Sequence, residues 1–117
     1  MMRTAAIRTV AALSLLSLSG CSKRYVELSL TNNSTETLRT VEIDYPGGSF
    51  GKTNVPPGQS FHYRFKSLHD GQLKLIYSDN TGEHQKPGPD WKENQSGTMT
   101  VSIGASGVVL WQTSSTK

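Results

Sequence analysis

The sequence predicts an all-β domain, an antiparallel sandwich of about seven or eight strands that follows an N-terminal signal segment. Apolar and polar residues alternate in several segments after residue 24, which is the two-residue period of a half-buried strand. Turn-forming residues separate these segments at short intervals, and no segment has a convincing helical period. Short strands divided in this way are typical of β-sandwiches.

The first two strands are predicted at 25–30 and 37–45. In the segment YVELSL, apolar residues alternate with polar ones from Val26 onward. The segment TNNSTE follows and predicts a turn, because asparagine bonds nearby backbone or accepts positive φ. In the segment TLRTVEIDY the inward face changes after Leu38, so we expect a bulge near Arg39 or Thr40.

Two further strands are predicted on either side of a proline-glycine turn at 56–59. The segment SFGKTNV (49–55), which follows a break at PGG, is a short and weak candidate. The segment SFHYRFKS (60–67) is the strongest in the chain. It places Phe61, Tyr63 and Phe65 on one face and His62, Arg64 and Lys66 on the other.

The remaining strands are predicted as two hairpins. The segment LKLIYS (73–78) pairs with EHQK (83–86) across the turn DNTG, and TMTVSI (98–103) pairs with VVLWQT (108–113) across GASG. The segment 87–97, with two prolines, is predicted to be a loop. The predicted core consists of Val26, Leu28, Leu30, Leu38, Val41, Ile43, Phe50, Phe61, Tyr63, Phe65, Leu73, Leu75, Tyr77, Met99, Val101, Ile103, Val108 and Leu110.

The first twenty residues have the layout of a secretory signal. Arg3 and Arg8 precede a short apolar segment, which is followed by small residues and the single cysteine. The apolar segment is too short to cross a bilayer, because that takes roughly 20 apolar residues. The sequence Leu18-Ser19-Gly20-Cys21 resembles the lipobox of bacterial lipoproteins. The alternative is a soluble secreted protein whose cysteine lies near the cleavage point by chance.

The lipobox resemblance implies cleavage between Gly20 and Cys21 and acylation of Cys21, which then anchors the protein in a membrane. Two or three acyl chains on one residue give stable attachment, whereas one chain gives only marginal binding. Ser22 after the lipidated cysteine resembles an outer-membrane sorting signal, so the outer membrane is the preferred location if the host is Gram-negative. The resulting organisation is a signal peptide at 1–20, the lipidated cysteine and tether at 21–24, the sandwich at 25–112 and a frayed tail at 113–117.

The combination of LTNNSTETLRTVEIDYP, VPPGQSF and a closing pair of strands is similar to the small immunoglobulin-like or fibronectin-like domains of bacterial surface proteins. The resemblance covers most of residues 24–112 and implies an immunoglobulin-like sandwich. The Cys-Trp-Cys core of antibody domains is missing. A transthyretin-like sandwich, as in some secretion-system lipoproteins, predicts nearly the same pattern. Neither resemblance implies an activity.

The composition argues against several function classes. Without residues 1–20 the chain has 10 basic and 9 acidic side chains, a net charge of +1 instead of +3, and no basic run indicates nucleic-acid binding. Acylated Cys21 leaves no thiol for redox chemistry or a thiolate metal site. His62, His69 and His84 show no metal-ligand spacing, and no nucleophile elbow, carboxylate pair or phosphate loop is present. We therefore expect no catalytic residue, metal or cofactor.

The remaining candidates form a possible binding surface. Trp91 lies in the predicted loop 87–95, and Trp111 faces outward if Leu110 is in the core; each is either a partner contact or a lid over the core. The polar face of the aromatic strand adds His62, Arg64 and Lys66.

These observations favour a non-enzymatic envelope lipoprotein that binds a protein or serves envelope assembly. A glycan-binding module that uses Trp91 and Trp111 is one alternative, and a small metal-binding protein or enzyme is another. The oligomeric state is left open.

Overall fold

A computed structural model of the protein describes residues 24–116. The predicted signal peptide, the lipobox cysteine and the tether residues Ser22 and Lys23 lie outside the described residues, as does Lys117. The strands are β1 (Val26–Asn33), β2 (Leu38–Tyr45), β3 (Gly48–Val55), β4 (Ser60–Phe65), β5 (Gly71–Asp79), β6 (Gly82–Trp91), β7 (Ser96–Gly104) and β8 (Val109–Thr116), with a 3-10 turn at Ala105–Gly107 before β8.

The strands form two four-stranded sheets. Sheet A has the order β4-β1-β7-β8 and sheet B the order β3-β2-β5-β6. The all-β sandwich of about eight strands that the sequence predicts is therefore confirmed. One pairing, between β1 and β7, is parallel rather than antiparallel. The strand order also differs from the ABED and CFG sheets of constant immunoglobulin domains, so the sequence pattern identifies the sandwich architecture and not this topology.

The core lies between the two sheets, and the prediction of its members is mostly confirmed. The predicted side chains that are buried are Val26, Leu28, Leu30, Leu38, Val41, Ile43, Phe65, Leu73, Leu75, Tyr77, Met99, Val101 and Ile103. Val55 and Trp91 are also buried, although the sequence did not place them in the core. Alternation in β1, β2, β5 and β7 thus identified the buried face of each central strand.

Five predicted core residues are wrong or only half right. Val108 and Leu110 are exposed, the latter at 61%, because Val109 and Trp111 are the residues of this segment that pack against the core. Tyr63 is exposed and Phe50 and Phe61 are half-buried, because they belong to the edge strands β3 and β4, where the sandwich is open at its side.

The open side between β3 and β4 is closed by an aromatic cluster. Phe50 stacks on Tyr63 with ring centroids 3.8 Å apart, and Tyr45 stacks on Phe65 at 4.3 Å. Phe61 meets Phe50 edge-on at 6.4 Å. Burial raises the pKa of the Tyr45 hydroxyl, with a smaller contribution from neighbouring Tyr63. These aromatic rings join the two sheets at an edge where no backbone hydrogen bonds connect them.

The predicted loop at 87–97 is wrong over 87–91, because β6 continues through Pro87 and Pro89 to Trp91, and over 96–97, where β7 begins, whereas residues 92–95 do form a connection. A bulge lets the strand accept both prolines, since the β5–β6 register shifts between Gln72 and Lys74. Prolines and bulges are tolerated at sheet edges, where they also discourage pairing with other chains. The edge position of β6 thus explains why its proline content does not end the strand.

The change of face in β2 is confirmed, since Leu38 and Val41 are buried while Arg39 and Thr40 are exposed. The β2–β3 register does not shift there. Asn54, which lies opposite Arg39, has a φ of 54° instead. The backbone irregularity therefore lies in β3, at Asn54, and the bulge expected in β2 is wrong.

The end of β8 differs from the predicted frayed tail. β8 extends to Thr116, and its last residues pair with Ser96, Gly97 and Thr98 of β7. The four residues Thr113–Thr116 therefore belong to sheet A.

Candidate interaction surface

The outer face of sheet A carries mostly small hydroxyl side chains, and we call it the hydroxyl face. The inward residues of β1 and β7 are buried, so their alternate residues point outward. The register with β4 and β8 places further polar residues beside them. The hydroxyl face comprises Glu27, Ser29, Thr31, Asn33, Ser60, His62, Arg64, Thr98, Thr100, Ser102, Leu110, Gln112 and Ser114.

Hydrogen bonds between neighbouring strands order the hydroxyl face. The hydroxyls of Thr31 and Ser60 are 2.7 Å apart, and the Asn33 amide donates to the Ser102 hydroxyl at 2.7 Å. The Thr100 hydroxyl donates to the Gln112 side-chain carbonyl at 3.4 Å. Such cross-strand pairs fix side-chain positions on a sheet. The face consequently presents ordered donors and acceptors to the outside.

The two charges on this face are paired with each other. Arg64 Nε donates to Glu27 Oε2 at 2.8 Å, and the Arg64 guanidinium lies 5.2 Å from the centre of the Tyr25 ring. The pair is exposed and contributes at most about 1 kcal/mol to stability. Its effect is to leave the hydroxyl face electrically neutral.

The outer face of sheet B has a different character, because it carries Glu42, Asp44, Lys74 and Glu83. A hydrogen bond to Asp44 and repulsion between the two carboxylates raise the pKa of Glu42. A shallow depression of about 400 Å³ beside these residues is lined by Asp44, Gln72, Leu73, Lys74, Gln85, Lys86 and Pro87. This face has the charged character of an ordinary solvent-exposed sheet surface.

His62 and Arg64 lie on one surface, as predicted, but Lys66 does not join them. Strand β4 ends at Phe65, and Lys66 follows in the connection to β5. His62 Nδ1 is 2.7 Å from the Ser29 hydroxyl. The pair sits on a flat, exposed surface, whereas a catalytic serine and histidine require a third orienting group and an oxyanion site. We interpret it as a cross-strand contact.

Trp91 is a lid and not an exposed contact. It is 4% exposed, and its indole N–H donates to the Gln95 carbonyl at 2.8 Å. Its backbone pairs with Gly71 at the end of sheet B. Of the two alternatives for Trp91, its burial agrees with the lid and not with an exposed contact. The prolines before Trp91 led the sequence analysis to predict a loop where β6 continues.

Trp111 is also turned inward, since Leu110, whose burial would have turned it outward, is exposed. It pairs with Val101, whose side chain is buried, and packs against the core. Its ring lies over Gly88 of β6, where a Cβ atom would be only 2.7 Å from the indole. Trp111 thus bridges the edges of the two sheets. The two tryptophans therefore offer no exposed platform for a sugar ring.

The three histidines have separate partners. His62 contacts Ser29, His69 Nδ1 is 3.0 Å from the Asp70 carbonyl oxygen, and His84 lies against Asp79 and Thr81. Among residues 24–116 no group of three or more histidine, cysteine, aspartate or glutamate side chains is arranged to hold a metal ion.

Asn32 is a structural residue that the sequence analysis did not identify. The Asn32 side chain is fully buried, and its amide N–H groups donate to the carbonyls of Glu36 and Val55 at 2.8 and 2.9 Å. Its carbonyl accepts from the N–H and hydroxyl of Ser34 at 2.9 and 2.6 Å. Asn32 therefore joins the β1–β2 turn to the end of β3. A turn-forming asparagine pair in the sequence does not reveal which member is buried.

No model of a protein family matches the chain, and no curated protein matches it. Among solved structures, the fold is similar to that of pneumolysin, determined at 1.98 Å, with a TM-score of 0.42 and 9% sequence identity. The match covers 79% of this chain and 24% of pneumolysin, so the chain spans about a quarter of that protein's length. A likeness this distant carries no argument about function. In the described part of the chain, no helix has the length and apolar character needed to cross a membrane.

Proposed function

We propose that this protein is a lipoprotein of the bacterial envelope, anchored through acylated Cys21, that has no catalytic activity and acts by binding another envelope protein. The observation that carries the proposal is the sequence Leu18-Ser19-Gly20-Cys21 at the end of a signal-like segment. Only four residues separate this cysteine from the first residue of β1. The anchor and the folded domain are thus adjacent, as in a protein built to work at a membrane surface.

Metabolic labelling tests the anchor. Cells that express the wild-type protein in radioactive palmitate should yield a labelled protein in the membrane fraction. Cys21→Ala should lose the label and leave the membrane, while Ser19→Ala, which keeps a small residue in the lipobox, should retain both. A Cys21→Ala variant that stays labelled and membrane-bound refutes the anchor.

In a Gram-negative host we propose the outer membrane as the location. Ser22 follows the acylated cysteine, and aspartate at that position resembles the inner-membrane retention signal instead. Ser22→Asp should therefore move the protein to the inner-membrane fraction of a sucrose gradient, and Ser22→Ala should not. An unchanged distribution of Ser22→Asp contradicts this sorting route.

We place the protein-binding surface on the hydroxyl face. Its charges are limited to the mutually paired Glu27 and Arg64, whereas the outer face of sheet B carries four charged side chains along its central and edge strands. The centres of protein interfaces are depleted in charged residues. Ordered hydroxyls and the exposed Leu110 supply hydrogen-bonding and apolar contacts on the same face.

Photo-crosslinking in the intact envelope tests this placement. A photoreactive amino acid at Thr100, in the central strand β7, should give a discrete protein adduct, and one at Gln85, on the outer face of sheet B, should not. With the photoreactive amino acid placed instead at Gln112, on the neighbouring strand β8, the added change Thr100→Lys should abolish the protein adduct. Adducts from position 85 and none from position 100 would move the binding surface to sheet B.

A further inference from the structure

One end of the sandwich, which we call the proximal end, contains residues 24–25, 46–47, 66–70 and 92–95 beside the last residues of β8. The Leu68 N–H donates to the Pro46 carbonyl at 2.9 Å, and the Asn94 N–H donates to the Ser67 carbonyl at 2.9 Å. The Glu93 N–H donates to the Asp70 carboxylate at 2.8 Å. These bonds hold loops from both sheets together as one surface.

The chain enters the domain at this same end. The Gly97 N–H donates to the Tyr25 carbonyl at 3.3 Å, and Val26 pairs with Phe65, the last residue of β4. The Tyr25 ring also lies against the Arg64 guanidinium. The position at which the N-terminal segment leaves the sandwich is therefore fixed beside residues 66–70.

The segment before β1 limits how far the domain can lie from a membrane anchor. The four steps from Cys21 to Tyr25 span at most about 14 Å when fully extended. The polar headgroup layer of one leaflet is itself about 5 to 8 Å thick. An anchor at Cys21 consequently holds the proximal end at the headgroup layer.

The proximal end carries an apolar side chain suited to that layer. Leu68 is 55% exposed at the tip of the β4–β5 connection. Its side chain packs on Gly47, where a Cβ atom would be 2.7 Å away. Because Leu68 is fixed by this contact and by its backbone hydrogen bond, it projects outward without belonging to the core. Tyr25, the residue before β1, is also exposed and adds an amphipathic ring to the proximal end.

Charge distinguishes the proximal end from the opposite one. Arg24, Lys66 and Lys92 are exposed there, against the acids Asp70 and Glu93. The connections at the opposite end, residues 34–37, 56–59, 80–81 and 105–108, contain one acid, Glu36, and no lysine or arginine. Arg39 of the adjacent strand β2 lies near them and donates to the Asp79 carbonyl at 2.6 Å. Each basic side chain near an anionic surface strengthens binding by about fivefold. The proximal end is therefore the one that an anionic lipid surface favours.

We propose that the proximal end rests on the membrane, with Leu68 inserted among phosphate-bearing headgroups and Lys66 and Lys92 in contact with them. The inference rests on the proposed acylation of Cys21 and adds a second lipid contact that orients the domain. The opposite end then projects away from the membrane, with the strands roughly upright and the hydroxyl face open to partners at the side.

Single thiols at matched positions test the orientation. Cys21 is the sole cysteine of the chain, so Leu68→Cys and Val108→Cys each add one reactive thiol to the acylated protein. Val108 is the control because it is 57% exposed at the opposite end. Each variant is purified from membranes, labelled with an environment-sensitive fluorophore and reconstituted into vesicles of phosphatidylglycerol and phosphatidylcholine. Palmitate incorporation is measured on the same samples, and the wild-type protein should take no fluorophore.

We expect the label at position 68 to show blue-shifted emission and severalfold stronger quenching by spin-labelled lipid than the label at position 108. If palmitate is incorporated and the two labels respond alike, the orientation is wrong while the anchor stands. If palmitate is absent and the wild type takes the fluorophore, the anchor fails and the orientation fails with it. Stronger quenching at position 108 would invert the proposed orientation.

Charge reversal tests the contribution of the basic side chains. In Leu68→Cys, the added change Lys66→Glu should weaken quenching on phosphatidylglycerol vesicles and have little effect on pure phosphatidylcholine. Lys52→Glu, at an exposed position on β3, serves as the control and should change neither. Equal effects of the two reversals would contradict a specific role for Lys66.

Discussion

Asn32 and Asn33 are neighbours in sequence with opposite roles. Asn32 is fully buried and its side chain makes four hydrogen bonds, whereas Asn33 is exposed and bonds to Ser102. Their environments differ because side chains alternate along β1, so that one points into the space between the two sheets and the next points to solvent. A buried polar group with every partner in place specifies the position of the segments that it joins.

We expect Asn32→Ala to lower the free energy of unfolding by about 2 to 4 kcal/mol, because it removes the hydrogen bonds of a fully buried side chain, including those to the carbonyls of Glu36 and Val55. Asn33→Ala should cost less than about 1 kcal/mol. Urea denaturation of both variants measures the difference. Equal losses would show that Asn32 does not join β1 to β3 in solution.

Asp79 gives the β5–β6 turn a pH dependence. Its carboxylate accepts from the Thr81 hydroxyl and N–H at 2.7 and 2.8 Å and lies 3.1 Å from His84 Nε2. These hydrogen bonds lower the pKa of Asp79 to about 2 from 3.8. Because the folded-state pKa lies below the unfolded one, the stabilisation is present above pH 3.8 and is lost as the pH falls toward 2.

Comparison of the wild type with Asp79→Asn tests this dependence. The difference in unfolding free energy should be constant above about pH 5 and shrink steadily at lower pH. Urea titrations at several pH values between about 2 and 6 measure it. A difference that does not vary with pH would mean that Asp79 titrates alike in the folded and unfolded states.

At the scale of strands, the two sheets meet at β6 and β8 through one close contact. A Cβ atom on Gly88 would lie 2.7 Å from Trp111 and 3.1 Å from the Leu73 carbonyl oxygen. Gly88→Ala should therefore displace the indole and destabilise the protein by about 1 to 3 kcal/mol. Gly104→Ala is the control, because its nearest contact is an ordinary 3.4 Å. Thermal unfolding and Trp fluorescence report the change, and an unaffected Gly88→Ala would contradict the contact.

The last residues of β8 provide a second prediction at this scale. Thr113–Thr116 pair with Met99, Thr98, Gly97 and Ser96 of β7, and the Gln95 amide donates to the Ser115 hydroxyl at 2.7 Å. A chain that ends at Gln112 should unfold at a lower urea concentration than the full chain, because half of an edge strand is lost. Removal of Lys117 alone is the control. Equal stability of the two shortened chains would mean that 113–116 fray.

The sequence predicts central strands better than edge strands, for physical reasons. β1, β2, β5 and β7 each bury one face, so alternation defines them. Four consecutive apolar residues, 108–111, span the start of β8, so alternation does not fix its phase. That phase depends on the distant contact between Trp111 and Gly88.

The candidate site was predictable to the same extent as the strands. The outward direction of His62 and Arg64 follows from alternation, while the burial of Trp91 depends on a bulged strand that accepts two prolines.

At the scale of the whole molecule, the two ends of the sandwich differ in charge and in what they connect to. One end receives the N-terminal segment and carries Leu68 with exposed basic side chains, and the other consists of turns without lysine or arginine. The hydroxyl face runs between them along sheet A. The lipid anchor that we propose at Cys21 would relate these features, because it would place one end at the membrane and leave the hydroxyl face accessible beside it.

Intact mass spectrometry of the protein extracted from membranes tests the central claim, that Cys21 is the anchor. We predict a mature chain that begins at Cys21 and carries a diacylglyceryl group, with a further acyl chain on its amino group where the host adds one. Peptide mapping should place every acyl chain on that residue. A mature chain that begins elsewhere, or that begins at Cys21 with a free thiol, would contradict the account.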